Sequence, residues 1–376
     1  MNIEDRIKNL EKSPVYAMSL GSKELFHSNF WAWLMRTNPD FIETFFPDFE
    51  SKTPRVEREE KHRDITVHTE KGSKKDKIYI IENKIKSLPY VEQLAKYQIE
   101  AGDAFAGGII AALCPPNFDV SRKYEVSIQK QPMKVEIEKK DNNIYNILID
   151  KKDYGATWKF ISYSEIVDGI DKLYIEYIDD PLNSYVVNEY VKITKEIENI
   201  INSKIRESEK KFSLECSELH DLKDIYKKYK MTHFKEYLKK FLAKYSGLNF
   251  VQDYSHDANL SIFYERKSDS GVRKRVGIQI EGSQYRRYAE FLGKKRTVDF
   301  EKYKEKKWFV DKENGYLNYG QNIKRPTGMR QDYCQYNNDI FVYQYWKIDD
   351  EADYDVLVRV IEDDMKMAEN LIKMDI

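Results

Sequence analysis

Two stretches in the first quarter of the chain alternate like strands and then break the pattern. In "HRDITVH" (62–68) Ile65 and Val67 alternate with Asp64, Thr66 and His68, the period of two of a strand with one apolar face. In "IYIIENKIKS" (78–87) a run of Ile and Tyr leads straight into Glu82, Asn83 and Lys84. The same period puts Glu82 and Lys84 on one face with Ile78 and Ile80, and Asn83 on the other with Tyr79, Ile81 and Ile85. If "TEKGSKKDK" closes a hairpin with His68 opposite Ile78, residue 64 stands opposite residue 82, and Asp64, Glu82 and Lys84 project together.

The remaining pattern predicts a helix over 22–36 with Ser22 as N-cap, Phe26, Phe30, Trp33 and Leu34 on one face, and Asn38-Pro39 as its stop. Ser87 and Pro89 open a second helix that Gly102 closes. A buried strand is expected in 107–116, short strands at "MKVEIE" and "IYNILI", and a strand leading into a helix capped near Ser164 over 157–170. Long charged helices follow over 183–210 and 218–246. After Gly247 the pattern returns to strands ("NLSIFYERK", "VGIQIEG", "IFVYQYWKI"), with a tyrosine-rich irregular region and a final helix from about 350. This divides the chain into an α/β part over 1–180, a helical connector over 181–246 and an α+β part over 247–376.

Composition narrows the classes. Only 41% of the 376 residues are hydrophobic and 34% are charged, yet 18 Phe, 28 Tyr and 5 Trp supply large bodies for a core. No apolar run is long enough for a membrane helix and the N-terminus is charged, which predicts a soluble, cytoplasmic protein. Cys114, Cys216 and Cys334 are too scattered for a disulfide framework or a zinc site and are expected as reduced, buried thiols. A net charge of −1 neither favours nor excludes nucleic acid.

Opposed side chains in a sheet have Cβ atoms roughly 5 Å apart, so Asp64 and Glu82 repel unless a cation lies between them. Mg²⁺, a hard ion that takes carboxylate and water oxygens, fits such a gap, with Mn²⁺ as a substitute. Lys84 beside it is placed to hold and activate a water, since a lysine near a metal and partly desolvated has its pKa pushed down. The competing reading is an exposed hairpin with cross-strand ion pairs worth about 0–1 kcal/mol. The apolar run before Glu82 argues against a solvated edge. Further along, the segment 265–307 carries 14 Lys and Arg against 7 Asp and Glu, with Arg286 and Arg287 between Tyr285 and Tyr288. Charge interleaved with rings suits a nucleic-acid groove, and equally a solvated face over a tyrosine core or a site for a protein or small ligand.

Asp64 followed by Glu82-Asn83-Lys84 at the end of an apolar strand resembles the signature of the PD-(D/E)XK nuclease superfamily. "QLAKY" resembles the Gln-x-x-x-Tyr helix of its exonuclease-like branches, and "ELFHSNFWAWLM" the glutamate-containing helix of an uncharacterised bacterial family assigned to it. Arg63 stands where the superfamily name has Pro. The resemblance spans about residues 20–115 and implies a restriction-endonuclease-like mixed sheet flanked by helices. It implies that Asp64 and Glu82 bind Mg²⁺ with the Asn83 carbonyl as a further ligand, and that Lys84 positions the attacking water. Glu24 would reach the metal through a water, while Gln93 and Tyr97 flank the scissile phosphate. Gln93 and Tyr97 do lie on the far side of their helix from Val91, Ala95, Gln98 and Ile99, a placement that also fits an ordinary exposed face. Glu24 also suits a helix first turn for its charge alone. Arg63 and Lys86 flank the expected metal face and suit phosphate contacts, or solvent. The expected activity is metal-dependent hydrolysis of phosphodiester bonds, in DNA ahead of RNA. The alternative is an inactive nucleic-acid-binding or protein-interaction module on the same fold. Nucleic acid is the expected partner and a membrane is not; homodimer formation and a protein partner for the C-terminal half stay open.

Overall fold

The computed structural model describes residues 2–21, 23–85, 88–116, 118, 124–128, 131–141, 143–177, 181–214, 216–253, 257–268, 271–292, 297–310, 323–324, 333–336 and 340–374. Ser22, Lys86, Ser87 and the basic run 294–296 lie outside them. The chain divides into two compact units, one of residues 1–203 with 218–225 and one of residues 204–217 with 226–376. No helix among the described residues is long and apolar enough to cross a membrane.

The first unit opens with helices α1 (Ile3–Leu10), α2 (Pro14–Gly21) and α3 (Lys23–Thr37). Strands β1 (Arg55–Arg58), β2 (Ile65–His68) and β3 (Ile78–Lys84) follow, then α4 (Val91–Ala101) and β4 (Phe105–Ala112). A meander of β5 (Tyr124–Ile128), β6 (Gln131–Asp141) and β7 (Ile144–Ile149) leads to β8 (Trp158–Ser162), α5 (Tyr163–Tyr177) and α6 (Pro181–Glu207). The eight strands form one sheet in the order β1-β2-β3-β4-β8-β7-β6-β5. It is mixed: β3 pairs parallel to β4 and β4 parallel to β8, while the flanking pairs are antiparallel. The β2–β3 register places His68 opposite Ile78 and Ile65 opposite Ile81, the pairing the alternation called for.

β3 and β4 read as nearly continuous apolar runs because both of their faces are covered, as parallel strands require. On one face Leu94, Ala95 and Tyr97 of α4 pack against Ile80, Ile110, Ile147 and Trp158. Gly108 is required there, since a Cβ on it would stand 2.3 Å from the Trp158 ring on the neighbouring strand. The opposite face carries an aromatic group built by α3, α5 and α6. Tyr190 on α6 stacks on Phe30 at 3.9 Å, its hydroxyl accepts from Trp31 Nε1 (2.8 Å), and it hydrogen-bonds His27 Nδ1 (2.8 Å). α5 begins in a capping box, with Glu165 N–H donating to Ser162 Oγ and the Ser162 N–H and hydroxyl donating to the Glu165 carboxylate. Ser162, not Ser164, is therefore the cap; Ser164 instead pairs with Glu198.

The second unit holds α7 (Lys223–Leu242), β9 (Leu248–Asp253), β10 (Asn259–Lys267), β11 (Arg273–Glu281) and β12 (Gln284–Leu292). It continues with α8 (Phe300–Glu305), β13 (Ile323–Lys324), β14 (Cys334–Tyr336), β15 (Phe341–Ile348) and α9 (Tyr354–Lys373). Its sheet runs β13-β15-β12-β11-β10-β9, all antiparallel, with β14 also on β15. Met231, Phe234 and Leu238 of α7 and Leu357, Ile361 and Met365 of α9 share one core with Ile262, Val276 and Ile278 of the sheet. Within 181–246, α6 falls mainly in the first unit and α7 mainly in the second. Cys114 and Cys216 are buried free thiols, and Cys334 is half-buried.

Two stability consequences follow. His27 is 1% exposed, and burial pushes its pKa from 6.5 down to about 3. The imidazole is neutral in the fold and takes a proton on unfolding, so its share of stability is complete above pH 6.5 and is lost as pH falls toward 3. At pH 5 the loss amounts to about 2 kcal/mol. Between pH 7 and pH 5 the transition containing α3 should lose about 2 kcal/mol more in the wild type than in His27→Asn, a difference in which the contributions of the other titrating groups cancel. In the second unit, Arg287 donates from Nε and Nη2 to the two carboxylate oxygens of fully buried Asp364 (3.0 and 2.8 Å), which also accepts from Tyr285 OH (2.6 Å). Arg287→Ala leaves that carboxylate buried without its positive partner and should cost about 3–5 kcal/mol in urea unfolding, with Arg287→Met plus Asp364→Leu recovering most of it.

Candidate active site

The charged end of β3 is inside the protein. Glu82 is 2% exposed and Lys84 7%, on the α4 side of the sheet, and Asn83 is fully buried on the side of α3 and α5. Asp64 is half-buried in the position just before β2, one step beyond the Ile65–Ile81 pair. Its Oδ2 accepts the main-chain N–H of Asn83 at 2.8 Å, which ties the two strand ends together. Lys84 Nζ lies 2.7 Å from Glu82 Oε1. The other oxygen, Glu82 Oε2, is buried and has no hydrogen-bond partner.

Burial sets the electrostatics. It pushes the Glu82 carboxyl up to about 7, against the pull of Lys84 and with the help of Asp64. It also raises Asp64, opposed by the Asn83 N–H and Lys84 and reinforced by Glu24. At Lys84 burial acts downward, but the charge and hydrogen bond of Glu82 outweigh it and leave the pKa above its ordinary value. Beside Glu82 the lysine is held as a charged ammonium, because the ion pair acts at close range in the same low-dielectric pocket that penalises an isolated charge.

The segment that delivers Asp64 is bent. Glu59, Lys61 and His62 adopt left-handed backbone angles (φ 55°, 53° and 64°) between β1 and β2, a conformation that costs a non-glycine residue about 1 kcal/mol or more. Side chains hold it there. Tyr97 OH donates to the His62 carbonyl (2.7 Å), and Glu60 is bound by His68 Nε2 (2.8 Å) and Lys71 Nζ (2.8 Å). The second ring nitrogen of His68 meets Asp76 (2.6 Å).

The α4 pair is brought to the same place. Gln93 Nε2 donates to Tyr97 OH (2.7 Å), and the Tyr97 phenol is held in its neutral form first by burial and then by the charge of Glu82. Tyr97 is not a free surface group: its ring is 2% exposed within the α4 core, and its hydroxyl alone borders the site. Glu24, half-buried in the first turn of α3, is near enough for its charge to raise Asp64.

Several expected contacts are absent. Arg63 is 1% exposed, with Nη2 donating to the Tyr97 carbonyl (3.2 Å), 3.7 Å from Glu100 and its guanidinium 5.8 Å from the Tyr97 ring centre. Its charge packs under α4 and is not presented to a phosphate. Arg287 is consumed by Asp364 and lies beside the Trp308 and Trp346 rings (5.4 and 5.5 Å). Arg286 bonds Gln284 and Gln279, pairs with Glu281 and covers the Tyr343 ring at 4.7 Å. Neither arginine presents the exposed basic groove that the charge count suggested. Lys86 lies outside the described residues. Sequence reasoning also overlooked Ser28 and Tyr163, which hold the Asn83 side chain; the signal was an amide on a strand face otherwise made of Tyr79, Ile81 and Ile85.

Among the described residues no group of three or more His, Cys, Asp and Glu side chains is arranged to hold a metal ion. What the site offers is two carboxylates, Asp64 and Glu82, and it is Glu82 that holds the buried oxygen without a hydrogen bond. That donor set suits Mg²⁺, which binds through one or two carboxylates and keeps waters and substrate oxygens for the rest. It does not suit zinc, which takes nitrogen and sulfur ligands in closed sets.

Comparison with known proteins bears on the same end of the sheet. No curated protein and no solved structure matches the chain. A family model for the PD-(D/E)XK nuclease superfamily matches residues 15–211, a span that contains Glu24, Asp64, the Glu82-Asn83-Lys84 strand end, Gln93 and Tyr97. That match covers more than half of the 376 residues and coincides with a restriction-endonuclease-like mixed sheet, and the chain belongs to the PD-(D/E)XK nuclease superfamily.

Proposed function

We propose that this protein is a Mg²⁺-dependent nuclease that hydrolyses phosphodiester bonds in DNA at the Asp64–Glu82 end of β3. The observation that carries the reading is the buried, partnerless Glu82 Oε2 next to Asp64, an arrangement that is unfavourable until a cation joins it.

Asp64 and Glu82 would hold the ion, with the Asn83 carbonyl as a further ligand. A bound divalent ion there would polarise the phosphate and acidify a water. The chain's own groups do the remaining work. Lys84, held by Glu82 at 2.7 Å and fully charged, stabilises negative charge as it develops on the phosphate and orients the attacking water as a donor. Gln93 and Tyr97 flank the phosphate from α4, where the second amide hydrogen of Gln93 donates toward it, and Glu24 holds a water from α3. Tyr97 gives its one hydroxyl hydrogen to the His62 carbonyl and so fixes the loop that carries Asp64.

Purified protein should nick plasmid DNA with Mg²⁺ or Mn²⁺ and stop on addition of EDTA. Asp64→Ala and Glu82→Ala should each abolish nicking and weaken Mn²⁺ binding measured by calorimetry. Full nicking in either variant would reject the site, and wild-type protein inert on every DNA and RNA form would favour a binding module.

Lys84→Ala tests the division of labour. It should keep Mn²⁺ binding and DNA binding while single-turnover cleavage falls about 100-fold or more, in keeping with the loss of one positioned charge. Unaltered cleavage would leave Lys84 as nothing more than a partner for Glu82.

A further inference from the structure

Asn83, the residue between the two charged members of the strand end, has the most committed side chain in this part of the sheet. Its amide is completely buried on the face opposite Glu82 and Lys84. Nδ2 donates to the main-chain carbonyl of Glu24 (2.8 Å) and to Ser28 Oγ (3.0 Å), and Ser28 Oγ in turn donates to the same Glu24 carbonyl (2.8 Å). Oδ1 accepts from Tyr163 OH (2.5 Å), and the main-chain N–H donates to Asp64 Oδ2 (2.8 Å). The network fixes the amide's orientation, because turning it over would set Oδ1 against the Glu24 carbonyl, acceptor against acceptor.

Apolar packing alone leaves a helix on a sheet free to shift by fractions of an ångström. The hydrogen bonds of a buried amide remove that freedom, since a displaced donor or acceptor in such a place costs about 1–3 kcal/mol. The amide of Asn83 grips α3 at the residue whose carboxylate faces the site, grips α5 through Tyr163, and its N–H grips Asp64. Three separate pieces of chain are therefore registered against one strand residue.

We propose that Asn83 is a positioning residue of the hydrolytic site: from the far face of β3 its side chain sets where Glu24 stands, while its main-chain N–H sets Asp64. The inference rests on the reading of Asp64 and Glu82 as the metal-binding pair. It assigns the side chain of Asn83 a role separate from any ligation by its carbonyl.

The test uses the full chain and Mn²⁺ alone as the probe, with calorimetric affinity, cleavage kcat and KM, and thermal unfolding measured on each preparation. Asn83→Ala should weaken Mn²⁺ binding about 10- to 100-fold and lower kcat by a comparable factor, with KM for DNA little changed. Tyr163→Phe removes a single hydrogen bond to Oδ1 and should move both quantities in the same direction by a smaller factor. It decides the matter if Asn83→Ala does not fold. Folded variants that melt earlier yet bind Mn²⁺ as the wild type does would overturn the proposal and leave Asn83 as fold support. A wild-type protein that binds Mn²⁺ but cleaves nothing would reject the nuclease reading, and the comparison of Mn²⁺ affinities would still decide the role of Asn83. A wild-type protein that does not bind Mn²⁺ would overturn both.

Discussion

A carboxylate that is 2% exposed, with a lysine on one oxygen and the other short of a well-formed hydrogen bond beside the Tyr97 phenol, is the constraint to which this end of the fold answers. Moving an ion of that size out of water carries a penalty of several kcal/mol even after relaxation, and one ammonium contact offsets only part of it. The strand tolerates Glu82 because its preceding residues are held from both sides, by β2 in antiparallel and by β4 in parallel register. The covering helix, the bent loop and the amide on the opposite face all meet within a few residues of this oxygen.

The period of two made this end of the sheet legible. Once β2 and β3 pair as a hairpin, the face shared by Asp64, Glu82 and Lys84 follows from parity, and the structure adopts the register with His68 on Ile78. Parity also placed Asn83 on the other face, but it could not supply Ser28, Glu24 and Tyr163, which lie between 55 and 80 residues away in the chain. The pull of Glu82 on the Lys84 pKa was hidden for a related reason. Burial alone lowers it, and the opposing effect belongs to Glu82, whose carboxylate had been assigned to the metal alone.

Charge counts were the least transferable signal. A run of lysines and arginines is a property of the sequence, and whether it makes a surface depends on where the acids fall. Asp364, 77 residues after Arg287, comes from α9 and takes that charge into the core, while Glu281 and the Tyr343 ring occupy Arg286. Arg63 is similar, with Glu100 and the Tyr97 carbonyl as its partners. The helices over 181–246 were readable from their apolar spacing, yet which unit each belongs to is decided by side chains such as Tyr190 and Phe234 finding partners elsewhere in the chain.

The left-handed turn at Glu59, Lys61 and His62 bears on the timing of catalysis. A chain that must climb into an uncommon conformation after its ligand arrives adds that climb to every turnover. Here the climb is made during folding, and the Tyr97 hydroxyl and the His68–Glu60 contact keep the backbone at that height. With Asp64 as the cation ligand proposed above, the reorganisation energy of its backbone would fall outside the reaction cycle and on the stability of the native state, where it lowers the fold's margin once rather than the rate each time.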